Sequence, residues 1–286
     1  MNGKKILSII AIIGLGFLAG ACAYDQEKAE AEVEFETEAD KRAADPRNKN
    51  YRSGDIYSGY IAMTSQTRDM QDDDFSNPGF LWVDHGESLW SKVNGSKGKS
   101  CASCHGAAEK SMKGVANKFP RYDAKTKKMI ALQAYLNRHM VNDMGAKKWK
   151  WESKNMLAMA MYVKLQSRGM PIKNTVNAQN RAFYVKGQKF FDQRRGLLDM
   201  SCAQCHSENN GNMARSNVLS MGMPNGFPTY RLKWQKPGSI HRRFAGCNKN
   251  IRATPYKRGS EEYTNLEFYM LQRAAGLKWE TPSVRN

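Results

Sequence analysis

Long apolar stretches are all but missing from this 286-residue sequence. Its one clear run, Ile6 to Leu18, is too short to span a bilayer comfortably, which argues against a retained membrane anchor. Lys4 and Lys5 precede the run and small residues at Ala19, Gly20, Ala21 and Ala23 follow it, so residues 1–23 read as a signal peptide for export to a bacterial periplasm. Cys22 keeps a lipidated N-terminus open as a second option, although Leu18 stands one place too early for a good lipoprotein signal. Acidic residues are also short in supply once a single stretch is set aside. Eight of the 27 lie between Tyr24 and Asp40, where Lys28 is the only base. With almost nothing apolar to bury there, residues 24–49 are expected to be a flexible acidic linker. Of the formal net charge of +18, the leader contributes +2 and the acidic stretch −7, so residues 41–286 carry +23. Such a field favours small anions and acidic protein surfaces, and export sets nucleic acid aside as a partner.

Spare thiols are nearly absent, which excludes a disulfide framework. There are six cysteines. Cys22 belongs to the leader, and four of the others sit in two C-x-x-C-H strings, Cys101-Ala102-Ser103-Cys104-His105 and Cys202-Ala203-Gln204-Cys205-His206. In such a string the two thiols become thioethers on haem vinyl groups and the adjacent imidazole reaches the iron. A pair of disulfides or a zinc ribbon would leave both histidines unexplained. The expectation is two haem c groups per chain, and one thiol, Cys247, is left over.

The chain repeats itself. Gly86 and Gly187, Trp90 and Phe191, Cys101 and Cys202, and His105 and His206 all stand 101 residues apart. Leu89-Trp90 and Phe190-Phe191 lie on segments that look helical and would pack beside each haem. The predicted fold is therefore mainly α, with two tandem cytochrome c-like domains from an internal duplication, at 50–180 and 181–286, and long loops around the haems. A second register, offset by 108, relates Phe119-Pro120-Arg121-Tyr122 to Phe227-Pro228-Thr229-Tyr230. Twenty residues beyond each Phe come His139, on a predicted helix over Ala131–Val141, and Cys247. A low-spin iron needs a sixth ligand of this type, so His139 and Cys247 are the expected distal ligands. Met140 and Met144 remain substitutes for His139. Of the five histidines, His85 fits a surface loop and His241 is an outside competitor for the second iron.

Thiolate ligation lowers an iron's potential and is uncommon where plain electron transfer is the task. Around Cys247 stand Arg242, Arg243, Lys249 and Arg252. Positive charge holds a thiol as the nucleophilic thiolate, and a guanidinium such as Arg243 clamps an oxyanion through paired hydrogen bonds. Basic clusters also occur as solvated faces, and the residues alone leave both readings open.

The run Arg243-Phe244-Ala245-Gly246-Cys247-Asn248, followed by Ile251-Arg252-Ala253, Pro255, Gly259-Ser260, Tyr263 and Leu266-Glu267, resembles the signature of the SoxA family, dihaem subunits of thiosulfate-oxidising SoxAX cytochromes. Asn77-Pro78-Gly79 with Trp82, Glu152-Ser153 and Arg168-Gly169-Met170-Pro171-Ile172 agree, so the likeness runs from about Asn77 to Gly276. It implies an L-cysteine S-thiosulfotransferase, which joins thiosulfate oxidatively to a cysteine of the carrier SoxYZ and passes electrons to a downstream cytochrome c. It also implies a monohaem partner, SoxX. Cys247 matches the family's catalytic cysteine, an iron ligand that can carry a persulfide, and Arg243 matches its substrate-binding arginine. Many relatives have cysteine at the position of His139; here the first haem is expected to be bis-histidine. The rival readings are a plain dihaem electron carrier, a dihaem peroxidase and a scaffold for the monohaem subunit; no acid–base pair singles out the peroxidase.

Overall fold

The computed structural model describes residues 38–286, and the signal peptide, Cys22 and the linker up to residue 37 lie outside it. Ten helices run in chain order: α1 Glu38–Ala44, α2 Ser65–Asp72, α3 Phe80–Ser91, α4 Cys101–His105, α5 Ala108–Ser111, α6 Leu132–Asn142, α7 Lys154–Leu165, α8 Arg181–Asp192, α9 Ile240–Asn250 and α10 Glu261–Arg273. Strands are short: β1 Arg52–Ser53, β2 Ile56–Tyr57, β3 Arg121–Asp123, β4 Lys128–Ile130, β5 Met213–Ala214, β6 Asn217–Val218, β7 Thr229–Arg231, β8 Lys236–Gly238 and β9 Ser283–Arg285. The last part of the expected linker is ordered. Ala39 and Ala43, one helical turn apart on α1, are buried against Tyr57, Tyr60 and Ile61, a small apolar stripe that the acidic composition concealed.

One arrangement occurs twice. Helix α3 crosses α7, and Gly86 sits so close that a Cβ there would lie 2.4 Å from the carbonyl oxygen of Ala158. Helix α8 crosses α10 in the same manner, with Gly187 against the carbonyl of Asn265 at 2.2 Å. The pairs explain why glycine recurs with a 101-residue spacing: a side chain at either crossing would push the helices apart. Both inner helices start at a serine N-cap, Ser153 accepting from Met156 N and Ser260 accepting from Tyr263 N. Their middles, Met156–Lys164 and Tyr263–Leu271, are buried all round, as expected of helices enclosed by core on every side.

Hairpins also repeat. Strand β3 pairs antiparallel with β4, placing Asp123 opposite Lys128, and β7 pairs with β8, placing Arg231 opposite Lys236. Each hairpin leads into the helix that carries a predicted distal ligand, α6 for His139 and α9 for Cys247. In the second copy, β9 adds a parallel strand to β7. The C-terminal segment also returns to the first copy: Ile172 N donates to Leu277 O and Trp279 N to Met170 O. A shared core of Ala116, Ile172, Leu271, Leu277 and Trp279 fills that junction, and residues 38–286 belong to one compact unit.

Candidate active site

Ser100 opens the turn of the first C-x-x-C-H string through a capping box with Ser103. Trp90 Nε1 donates to Gly106 O at 2.9 Å, closing the other end of the string against α3. His105 is exposed and its ring centre lies 6.2 Å from that of His139, with the planes at 82°. Two imidazoles this close are the residues that would hold a haem iron between them. The Nδ1 of His139 is 2.5 Å from Asp143 Oδ2, and Tyr135 packs edge-on against its ring at 4.6 Å. Such a partner on Nδ1 orients the ring and leaves Nε2 for a metal. Met140 and Met144, the substitutes, are buried with Ala146 instead. His85 is on α3 rather than in a loop, its Nε2 2.9 Å from Asn155 Oδ1.

The second string continues into a single wide turn, Gln204–Glu208, which carries Cys205 and His206. His206 Nδ1 donates to Ser220 O at 2.6 Å, which leaves Nε2 as the free ring nitrogen. Gly222 lies against this ring, at positive φ, where a Cβ would come within 2.9 Å of His206 Cγ. Cys247 projects from α9 close enough to His206, Cys202 and Cys205 to interact electrostatically with each. Thus each string, two thiols and an imidazole, faces a ligand-type side chain from a helix of its own copy, a donor set that fits covalent haem at both places.

Electrostatics set Cys247 apart from its neighbours. Burial alone would push its thiol up, but Arg243, His206 and Arg231 overcome this and bring it down to about 7. Burial, with Cys247 and Cys205 adding to it, instead pushes the Cys202 thiol up to about 12. The Arg243 side chain makes no hydrogen bond or ion pair among the described residues. Arg242 lies over the Trp234 ring at 4.2 Å and Arg231 over the same ring at 4.9 Å. Burial first and Arg243 second lower the Arg231 guanidinium to about 10, against an opposing pull from Cys247.

Helix α9 is held from the first copy. Ser239 is its N-cap, accepting from Arg242 N at 3.1 Å. The same hydroxyl donates to Glu152 Oε1 and accepts from Trp151 Nε1 at 3.2 Å. Trp151 in turn stacks on His241 at 4.9 Å. His241 is fully buried, its Nδ1 accepts from Gly259 N at 2.9 Å and its Nε2 is 3.1 Å from Glu267 Oε2. Both ring nitrogens are therefore taken, and the outside competitor for the second iron is instead a packing and hydrogen-bonding core residue. At the far end, Arg195 Nη1 donates to Asn248 Oδ1 at 2.6 Å, fixing the residue after Cys247.

The structure thus brings together Cys101, Cys104, His105 and His139 in one place, and Cys202, Cys205, His206, Cys247 and Arg243 in another. Sequence reading missed Arg231, Glu152 and Ser239. For Arg231 a signal existed: in the 108-residue register, the base stands where the first copy has Asp123.

A family described as SoxA/TsdA, cytochrome c domain, matches residues 85–172; a cytochrome c domain implies haem c. An L-cysteine S-thiosulfotransferase subunit SoxA from Pseudaminobacter salicylatoxidans is 37% identical over 287 residues, covering 99% of this chain and 98% of the relative. The corresponding subunit from Paracoccus pantotrophus is 41% identical, covering 81% and 79% of the two chains. A chain from the crystal structure of SoxXA from P. pantotrophus superposes with a TM-score of 0.78 at 41% identity, covering 81% of this chain and 87% of that one.

Proposed function

This chain belongs to the SoxA family, and from that premise we propose that it is the thiosulfate-conjugating subunit of a SoxAX-type heterodimer, an L-cysteine S-thiosulfotransferase acting in the periplasm. Its tandem cytochrome c-like domains, residues 50–180 and 181–286, each carry one haem c. Cys101 and Cys104 hold the first haem, with His105 and His139 as axial ligands. Cys202 and Cys205 hold the second, with His206 and Cys247. The repeated helix crossings and hairpins support this division. SoxX is the monohaem partner, SoxYZ the carrier, and a downstream cytochrome c the final acceptor.

The observation that carries the reading is the lowered Cys247 thiol facing His206, with the unpaired Arg243 beside it. When bound, haem c supplies one-electron acceptors next to the sulfur. Arg243 holds the thiosulfate dianion by its oxygens and turns the outer sulfur toward Cys247. An S–S bond forms between the Cys247 thiolate and that sulfur, releasing two electrons and leaving Cys247–S–S–SO3⁻. A carrier thiolate then attacks the outer sulfur, the bond to Cys247 breaks, and Cys247 departs as thiolate. The sum is carrier thiol plus thiosulfate giving a carrier S-thiosulfonate, one proton and two electrons. A leaving thiolate of low pKa speeds the second step, which is what the bases around Cys247 provide.

The test uses the haem-loaded heterodimer with carrier and thiosulfate, alongside Cys247→Ser. Haem reduction and a carrier adduct, read by visible spectra and intact mass, are expected only with Cys247 present. If both proteins are reduced alike and no adduct forms, the chain is an electron carrier whose thiol merely tunes iron.

A further inference from the structure

The two attachment turns differ in how their histidines are held. In the first copy the His105 ring has the Trp90 and His139 rings beside it and, among the described residues, no hydrogen-bond partner. In the second, His206 Nδ1 donates to Ser220 O at 2.6 Å. The 108-residue register sets Ser220 against Met112 and Gly222 against Gly114, and both glycines have positive φ. Met112 O is spent within its own turn, accepting from Val115 N at 3.0 Å. Ser220 O is turned to the imidazole instead. The loop that presents it is fixed at several points: Leu219 N donates to Asn212 O at 2.8 Å, Gly222 N donates to Ser220 Oγ at 3.3 Å, and Tyr57 N, from the N-terminal segment, reaches Met221 Sδ at 3.3 Å.

One side chain ties the donor's stretch of chain to the acceptor's. Arg273, at the end of α10, donates from Nη1 to Met221 O at 3.2 Å and from Nη2 to Ser207 Oγ at 3.1 Å. Met221 follows Ser220 and Ser207 follows His206, so a single planar guanidinium bridges the residues next to both ends of the His206–Ser220 bond. Its face lies over the Phe191 ring at 4.3 Å, which leaves the fork little freedom. The first copy has no such bridge. Tyr162 and Tyr269 meet Gly86 and Gly187 at the equivalent helix crossings, which puts Gln166 in the place of Arg273, and Gln166 Nε2 turns back to Tyr162 O at 2.9 Å.

We propose that Arg273 is a positioning residue for the second haem: by clamping Met221 to Ser207 it holds Ser220 O on the His206 Nδ1–H, and so makes that imidazole the more electron-donating of the two attachment-string ligands. A hydrogen bond to the outer ring nitrogen raises the basicity of a metal-bound imidazole, and a stronger donor stabilises ferric iron and lowers its potential. An electron taken from sulfur is then held weakly at the second haem and passes on readily to a further acceptor. This rests on the reading of His206 as an iron ligand, and extends it from the ligand to the residue that sets its strength.

The experiment is a redox titration of the haem-loaded heterodimer, followed by visible and electron paramagnetic resonance spectra, for wild type, Arg273→Gln, Arg273→Lys and Ser207→Ala. Arg273→Gln installs the first copy's residue. At the wild-type midpoint of the thiolate-ligated haem, where half of it is reduced, the reduced-to-oxidised ratio should rise about tenfold in Arg273→Gln, a shift of about 59 mV for one electron. The resonance signal of that haem should change as well, while the bis-histidine haem keeps both its midpoint and its signal. Ser207→Ala removes one end of the bridge at an exposed position, so it should fold as wild type does and shift the same ratio in the same direction by about threefold. Lysine keeps the charge and loses the fork, so Arg273→Lys should fall between wild type and Arg273→Gln. An unchanged or lowered midpoint of the thiolate-ligated haem in Arg273→Gln, or in Ser207→Ala should Arg273→Gln fail to assemble, overturns the inference and leaves the haem assignment standing; so do equal shifts at both haems. If intact mass finds only one haem on the wild-type chain, or His206→Ala leaves the thiolate-ligated signal intact, the ligand reading falls with it.

Discussion

Helices α6 and α9 occupy equivalent places in the two copies, yet their predicted iron ligands sit in opposite chemical surroundings. Beside His139 two groups on α6 have carboxylate partners: Arg138 pairs with Asp123, and the His139 ring meets Asp143. Tyr135 supplies an apolar ring face where α9 has Arg243. Around Cys247 the matching positions are Arg231, Gly246 and Arg243, and no Asp or Glu among the described residues pairs with either base; Arg231 instead donates to the main-chain oxygen of Asn286. The scaffold of glycine crossings, capped helices and hairpins is common to both. The two copies thus differ most in whether the arginines around the predicted ligand have Asp or Glu partners.

Converting one centre toward the other tests this contrast most severely. Cys247→His gives α9 the ligand type of α6, and carrier modification should fall by about a thousandfold or more, as losing a covalent nucleophile does; intact-mass analysis of the carrier reads it, while visible spectra should still report two low-spin haems. Full activity in that variant would mean that the thiol is dispensable. The shared scaffold should respond alike on both sides. Gly86→Ala and Gly187→Ala each force a methyl onto a backbone carbonyl, and each should cost about 3 kcal/mol in denaturant unfolding. A loss at only one of them would show that the two crossings bear different loads.

A smaller effect separates the copies again. Glu152→Gln removes the carboxylate that holds the Ser239 cap of α9, with an expected loss of about 1.5 kcal/mol and an altered electron paramagnetic resonance signal from the thiolate-ligated haem alone. If the bis-histidine signal shifts equally, the clamp is not specific to α9. Asp123→Asn acts on the other side and should cost about 1 kcal/mol. The Asp123 carboxyl is held well below its ordinary range, chiefly by Arg138. Its stabilisation is therefore complete above the unfolded-state value of about 4 and is lost as pH falls from there toward the lower folded value. Wild type and Asp123→Asn should differ in denaturant midpoint at pH 7 and converge as the solution is acidified. A difference that persists or grows at low pH would refute the ion-pair account.

Much of the site was legible because its chemistry is covalent or periodic. A C-x-x-C-H string names its cofactor through spacing, and the 101- and 108-residue offsets single out His139 and Cys247, which lie near His105 and His206. Ser239 left no comparable trace and Glu152 only its place in the family resemblance, since a cap held by a carboxylate from 87 residues away has no local pattern. His241 was misjudged for a related reason: near Cys247 in sequence, it lies on the face of α9 turned to Trp151 and Glu267. The residues of α1 were masked by composition, because two alanines are enough to bury one face of a seven-residue helix.

Local residue order was enough to establish the attachment strings, the duplication, the basic character and the candidate ligands, all properties of composition and spacing along the chain. Which charges remain unpaired was settled in three dimensions. Whether Arg231 enters an ion pair such as that of Asp123 with Arg138, or meets Asn286 O and the Trp234 ring as it does, depends on how a hairpin lies against its surroundings. Electrostatic attraction and desolvation act through space over a few ångströms, and the contacts they depend on here join residues 15 or more apart in the chain.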